Sequence, residues 1–255
     1  MSAEEVRAIM SAPGNDRLTW NTPLSEEHAA RLIAACDPAP GSRIVDLGSG
    51  WGELLMRLVE SAPGATGDGV ETDPDAVARG RRLAEERGLA DRVRFHQTPA
   101  AEWPDGGYDL AVSIGSSHAW PGATARESTG NALTALAAVR PGGRVLFGEG
   151  IWQREPTSAA LEGLGAAPGD YGSLLELIRL AESVGLRALQ VTVADEREWD
   201  LFESEGPIGR GQRWALANPD HPLHAEVTAE VDVRRTGYYG GYRSSFTLAY
   251  LVLSA

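Results

Sequence analysis

Apolar and polar residues alternate in two rhythms along the first 150 positions. Five short runs have strand character: "RIVDL" (43–47), "TGDGVE" (66–71), "RVRFH" (92–96), "YDLAVSIG" (108–115) and "RVLFGEG" (144–150). Helical periods lie between them. "ELLMRLVESA" (53–62) puts Leu54, Leu55, Leu58 and Val59 on one face. "DPDAVARGRRLAEERG" (73–88) opens with Asp73 as N-cap and Pro74 in the first helical position, and stops at Gly88. "ARESTGNALTALAAV" (125–139) predicts another helix, and the turn "RPGG" (140–143) leads into the fifth strand.

Beyond Gly150 the rhythm loosens. Residues 153–173 read as a loop with a short helix, "LLELIRLAESVG" (174–185) as a helix and "RALQVTVA" (187–194) as a strand. Residues 197–236 are helical and densely charged, and "YRSSFTLAYLVLSA" (242–255) is the last strand. Strands alternating with helices predict a doubly wound α/β fold: a mostly parallel seven-stranded sheet with helices on both faces. The charged helices before the last strand predict a cover over a substrate, with a solvated excursion as the alternative. The expected organisation is one domain over 1–255. It comprises an N-terminal segment and helix (1–40, the helix capped by Ser25), a core (41–150), and the remaining strands with the cover at about 197–236 (151–255).

The charge balance narrows the partners. The chain of 255 residues carries a formal net charge of −13, and all 23 basic residues are arginine. Such a chain repels phosphate backbones and anionic lipid, so neither nucleic acid nor a membrane is the expected partner. One cysteine, Cys36, excludes a disulfide framework or a cysteine-rich metal site within one chain. No apolar run approaches a membrane span, and "MSAEEVRAIM" lacks a signal pattern, so a cytoplasmic location is expected. A homo-oligomer is compatible with all of this.

The candidate chemistry starts at "VDLGSGWGE" (45–53). A strand, three glycines in five positions and a helix start suit close backbone approach by a nucleotide-like ligand, with unpaired N–H groups at the helix end. A dinucleotide fingerprint requires a small residue where this chain has Glu53, and Asp46 precedes the turn. Two acids here suit a ligand with cationic groups better than a diphosphate. That disfavours a nicotinamide oxidoreductase.

These residues resemble the first signature of class I S-adenosylmethionine-dependent methyltransferases. The likeness continues at Glu71, "YDLAVSIGSSHAW" (108–120) and "AAVRPGGRVLFGEG" (137–150), and covers about residues 20–155. It implies a Rossmann-like fold and S-adenosylmethionine as cofactor, with S-adenosylhomocysteine as product. Glu71 is implied to meet the ribose hydroxyls. The implied cofactor contacts are Trp20, Asn21, Asp46, Gly48, Ser49, Gly50, Gly52, Glu71, Thr72, Ala100, Ala101, Ser113 and Ile114; the first two belong to Met10–Leu24, which the resemblance implies is a strap folded across the cofactor, with a disordered lead-in as the alternative for Met1–Ala12. In one respect the chain departs from the family: the acid that usually meets the adenine amine aligns with Pro99, leaving Glu102 or backbone near Ala100 for that role.

Methyl transfer needs donor and acceptor held collinear and close, and a base only when the acceptor must lose a proton. His118, just past the fourth strand, is the candidate base, with ordering of its loop as the alternative. Trp120, Glu149, Trp152, Tyr171 and Tyr239 are candidates for the acceptor pocket, and Trp51 for the core. "HPLH" (221–224) lacks supporting ligands and reads as surface rather than a metal site. "SIGSSHAW" carries neither the Pro-Pro-aromatic signature of amino-group DNA methyltransferases nor an acidic magnesium cluster. The expected reaction is metal-independent methylation of a small molecule on oxygen, nitrogen or carbon. An RNA or protein methyltransferase and a non-catalytic S-adenosylmethionine-binding partner protein are the alternatives.

Overall fold

A computed structural model describes residues 3–11, 17–104 and 106–255. The elements in chain order are α1 (Ala3–Ser11), α2 (Glu26–Cys36), β1 (Arg43–Leu47), α3 (Glu53–Ser61), β2 (Thr66–Glu71), α4 (Pro74–Glu86), β3 (Val93–Gln97), β4 (Leu110–Ile114), α5 (Ala125–Leu136) and β5 (Arg144–Trp152). They continue with α6 (Ser158–Leu164), α7 (Leu174–Ser183), β6 (Arg187–Val193), α8 (Glu196–Glu205), α9 (Pro207–Ala217), α10 (His224–Gly237) and β7 (Phe246–Ser254). Two short 3-10 turns follow β3 and β4 (Ala100–Glu102 and Ser117–Ala119).

All seven strands join one sheet in the order β3-β2-β1-β4-β5-β7-β6. β1 to β5 pair in parallel, and β7 runs antiparallel between β5 and β6. Along each inner strand, successive side chains serve opposite faces. Ile44, Leu110, Val112 and Leu146 pack with α2, α3 and α4. Val45, Ala111, Val145 and Phe147 pack with α5 and α7. The two buried layers explain why the strands read as nearly continuous apolar runs.

Local chemistry sets the helix starts. Ser25 accepts from the His28 N–H, and Asp73 from Asp75 and Ala76 with Pro74 following. Ser173 and Asp195 each form a capping box, with Glu176 and Glu198.

Two sequence expectations shift, and a third lies partly outside the described residues. α1 is helical within the segment for which a disordered lead-in was the alternative, and its Met10 is buried against Gly211 of α9. Residues 12–16, part of the expected strap over the cofactor, lie outside the described residues. The last strand begins at Phe246 rather than Tyr242, because Tyr238–Tyr242 forms a π-helical turn. Long-range contacts fix that turn: the Tyr242 hydroxyl donates to Glu203 at 3.0 Å and the Tyr238 hydroxyl to Asp200 at 2.9 Å.

Candidate active site

Strand order reverses between β1 and β4, and ligand clefts of open α/β sheets form beyond the strand ends at such a point. A cleft of about 380 Å³ opens there. Its floor is the turn between β1 and α3. Gly48, Gly50 and Gly52 have φ of 84°, 54° and 73°, a region that other residues enter only at a cost. A Cβ on Gly48 would meet the Ser116 side chain, and one on Gly52 the Phe95 ring. At those two positions the glycines admit neighbouring protein, a reason the sequence did not reveal.

Glu71 ties this turn to the end of β2. Its Oε2 accepts from Gly50 N at 2.9 Å, and its Oε1 from Thr72 N at 2.7 Å and Asp73 N at 3.0 Å. Gly48 N and Ser49 N donate to Val70 O, at 2.9 and 3.0 Å. Asp46, at the end of β1, is buried, and its carboxyl is pushed up to about 8 by loss of solvent and then by the charge of Glu71.

Glu53 departs from its expected role. The sequence presents it as an acid facing the ligand, yet its carboxylate is held by Arg57 at 2.7 Å and by Arg87. Arg57 also stacks on Trp20, its Cζ 4.5 Å from the ring centroid. Trp51 is buried under Arg79 and donates its indole N–H to Thr19 O at 3.1 Å.

The opposite end of the cleft lies over β4 and β7. Ser116 donates to Leu47 O and shares a hydrogen bond with Ser113, both 2.7 Å, and so sets the bend after β4. His118 follows, exposed on the cleft wall. Trp199 and Phe202 of α8 and Leu248 of β7 complete this end. A buried network holds α8 in place. Glu198 accepts from Ser25 N at 2.8 Å and Asp195 N at 2.9 Å and pairs with His28 at 3.1 Å. Burial works to raise the Glu198 carboxyl, but these hydrogen bonds, led by His28, hold it at about 2.

Of the residues singled out in the sequence, the cleft brings together Trp20, Asn21, Asp46, Gly48, Ser49, Gly50, Gly52, Glu71, Thr72, Ala100, Ile114 and His118. Glu53 and Trp51 also line it, and the remaining cofactor and acceptor candidates lie apart from it. Ser113 is fully buried beneath Ser116. Ala101 and Trp120 line a small cavity on the α5 face of the sheet. Glu149 and Tyr171 line another small recess, beside α7. There burial raises the Glu149 carboxyl, offset in part by Ser117, Gly150 N–H and Thr129. Trp152 packs edge-on against Phe246 at 5.1 Å between centroids. Tyr239 is half exposed in the π-helical turn.

Sequence reading missed Thr22, Pro23, Leu24, Thr98, Ser116, Trp199, Phe202 and Leu248, all on the cleft wall. Trp199 and Phe202 carry a weak signal, as apolar residues in an otherwise charged helix. Glu102, offered for the adenine amine, is exposed and outside the lining, whereas Thr98 and Ala100 are part of it.

A family profile described as a methyltransferase domain matches residues 45–145. The chain is 31% identical over 229 residues to the uncharacterized protein YjhP of Escherichia coli K12, covering 89% of this chain and 90% of that one. It is 28% identical to the nocamycin O-methyltransferase of Saccharothrix syringae, covering 88% and 89%. The crystal structure of an S-adenosylmethionine-dependent methyltransferase from Thiobacillus denitrificans, in complex with S-adenosylhomocysteine, superposes with a TM-score of 0.85 over the whole of both chains at 28% identity.

Proposed function

The chain belongs to the class I S-adenosylmethionine-dependent methyltransferases, and we propose that it methylates a small-molecule acceptor received at the β7 end of its cleft. The cofactor fits the residues present: the Glu71 carboxylate at the end of β2 suits ribose hydroxyls, and the start of α3, which has no side-chain cap, suits the carboxylate of an amino-acid tail. S-Adenosylmethionine supplies a methyl carbon activated by a positively charged sulfur. In this reading Glu71 engages the ribose, the turn 48–52 and Asp46 receive the methionine end, and Trp20 with Asn21 covers it. Ile114 and the bend after it border the reacting carbon, which faces His118. With the cofactor held there, its methyl carbon would pass to the acceptor's lone pair with the sulfur as leaving group, and His118 would take the acceptor's proton.

The observation that carries the small-molecule reading is the size and walling of the cleft. About 380 Å³ must hold donor and acceptor together, under a helix anchored to the core by Glu198 and His28. The full-length likeness to an O-methyltransferase of a metabolite points the same way. In this reading the transfer needs no metal ion.

The test is a metabolite screen for S-adenosylhomocysteine release, run with and without chelator. For a phenol or amine acceptor found this way, His118→Ala should lower turnover about a hundredfold while leaving cofactor affinity unchanged. Near-normal turnover removes His118 as base. Methylation restricted to RNA or protein removes the small-molecule reading.

A further inference from the structure

We propose that the acceptor has a flat, aromatic body and carries no anionic group, and that Trp199, Phe202 and Leu248 receive its ring. This rests on the reading of the cleft as a joint site for donor and acceptor.

The direction of the cleft comes from the sheet order. Glu71 and Thr72 mark the β2 end, and passing over β1, β4 and β5 leads to β7, with α8 above that end. Walls at that far end offer mainly carbon. The one polar atom of the Trp199 indole already donates to Thr247 Oγ1 at 3.1 Å, and that hydroxyl donates onward to Ala194 O at 2.7 Å. Phe202 stands edge-on to Trp199, with ring centroids 5.9 Å apart. The buried Tyr250 hydroxyl nearby is taken up by Pro23 O at 2.8 Å and shared with Thr22 at 3.2 Å. Aromatic faces and edges in this arrangement favour a ring over a polar chain.

Charge supplies the second half of the argument. Asp46, Glu53 and Glu71 line the cleft, and no arginine does among the described residues. The chain contains no lysine, and residues 12–16, part of the expected strap, include no basic side chain. Glu53 is matched by Arg57 and Arg87. The nearby Arg79 lies over Trp51 and donates to Leu18 O. Asp46 and Glu71 have no cationic partner among the described residues. A carboxylate or phosphate on the acceptor would therefore find no arginine or lysine on the cleft wall to pair it and would share the cleft with the Glu71 carboxylate, whereas a neutral or ammonium-bearing ring meets no such opposition.

Three probes share one ring and differ in charge: indole, tryptamine and indole-3-acetate. Each is titrated calorimetrically into protein saturated with S-adenosylhomocysteine. Indole and tryptamine should bind at least about tenfold more tightly than indole-3-acetate. Phe202→Arg places the missing cation at the half-exposed rim and should reverse the order of tryptamine and indole-3-acetate. Phe202→Ala should weaken indole about as much as tryptamine. Indole-3-acetate binding the unaltered protein as tightly as tryptamine overturns the proposal. So does failure of all three to bind while S-adenosylhomocysteine does, an outcome that leaves methyl transfer intact. Failure of S-adenosylhomocysteine itself to bind strikes the joint-site reading first, and this proposal with it.

Discussion

At the scale of single residues, Asp46 has the sharpest consequence. Its carboxyl is raised from an ordinary 3.8 to about 8 by burial and by Glu71. Between those two values the folded chain keeps a proton that the unfolded chain has lost, so protons favour the folded state. The ligand-free protein should therefore lose stability as pH rises from about 4 to about 8. Asp46→Asn should melt at a similar temperature to the natural protein at pH 4 and higher than it at pH 8. In the proposed site, the positive charge of S-adenosylmethionine brought near this carboxyl would reverse the balance and expel the proton. Titrations of S-adenosylmethionine at pH 7 in phosphate and in Tris should give heats that differ by the buffers' ionisation, and Asp46→Asn should abolish the difference. S-Adenosylhomocysteine, with its neutral sulfur, should release less. Equal heats in both buffers for the natural protein would show that Asp46 is not the group coupled to the cofactor.

Among the elements, the turn between β1 and α3 separates what the sequence disclosed from what it withheld. The strand, the three glycines and the helix are legible because each rests on local rules: strand character, positive φ and the helical period. Partners across the fold are not legible. Nothing within "GSGWGE" tells that Gly52 faces Phe95 of β3, that Gly48 faces Ser116 after β4, or that Arg87 closes on Glu53. The same limit applies to Tyr238–Tyr242, where hydrogen bonds to Asp200 and Glu203 of α8 turn an expected strand into a π-helical turn. It applies again to Trp120 and Trp152, whose positions near strand ends suggest a pocket although their side chains enter other packing layers. The glycines can be ranked by those hidden neighbours. Gly48→Ala and Gly52→Ala combine a strained φ with a blocked Cβ and should each cost more than about 2 kcal/mol. At Gly50 the nearest atom to a Cβ is Asn21 Nδ2 at 3.7 Å, an ordinary contact, so Gly50→Ala should cost about 1 kcal/mol. Denaturant midpoints compared at constant slope will decide whether that order holds.

For the whole molecule, charge separates the kinds of acceptor more sharply than fold does, since one α/β sheet serves many substrates. The net charge is −13, and most arginines in and next to the insert α8–α10 are engaged. Arg213 pairs with Glu205, Arg234 with the fully buried Glu203, Arg235 with Asp232, and Arg243 with Asp200 and Glu196. Arg210 points into the fold and donates to Met10 O at 2.6 Å. A polyanion approaching the insert α8–α10 thus meets mostly paired cations, with Arg197 exposed beside them, inside a negative field that is strongest at low salt, where the screening length is about 30 Å at 10 mM. Bulk transfer RNA should accordingly show no filter retention at about 10 mM salt and no competition with S-adenosylhomocysteine. The same field draws the cationic cofactor inward, so its association rate should fall as salt rises from about 10 to 150 mM, with a smaller change in its dissociation rate. RNA retention that weakens steeply with added salt would mean that a basic surface forms outside the cleft, and would return the RNA methyltransferase reading to first place.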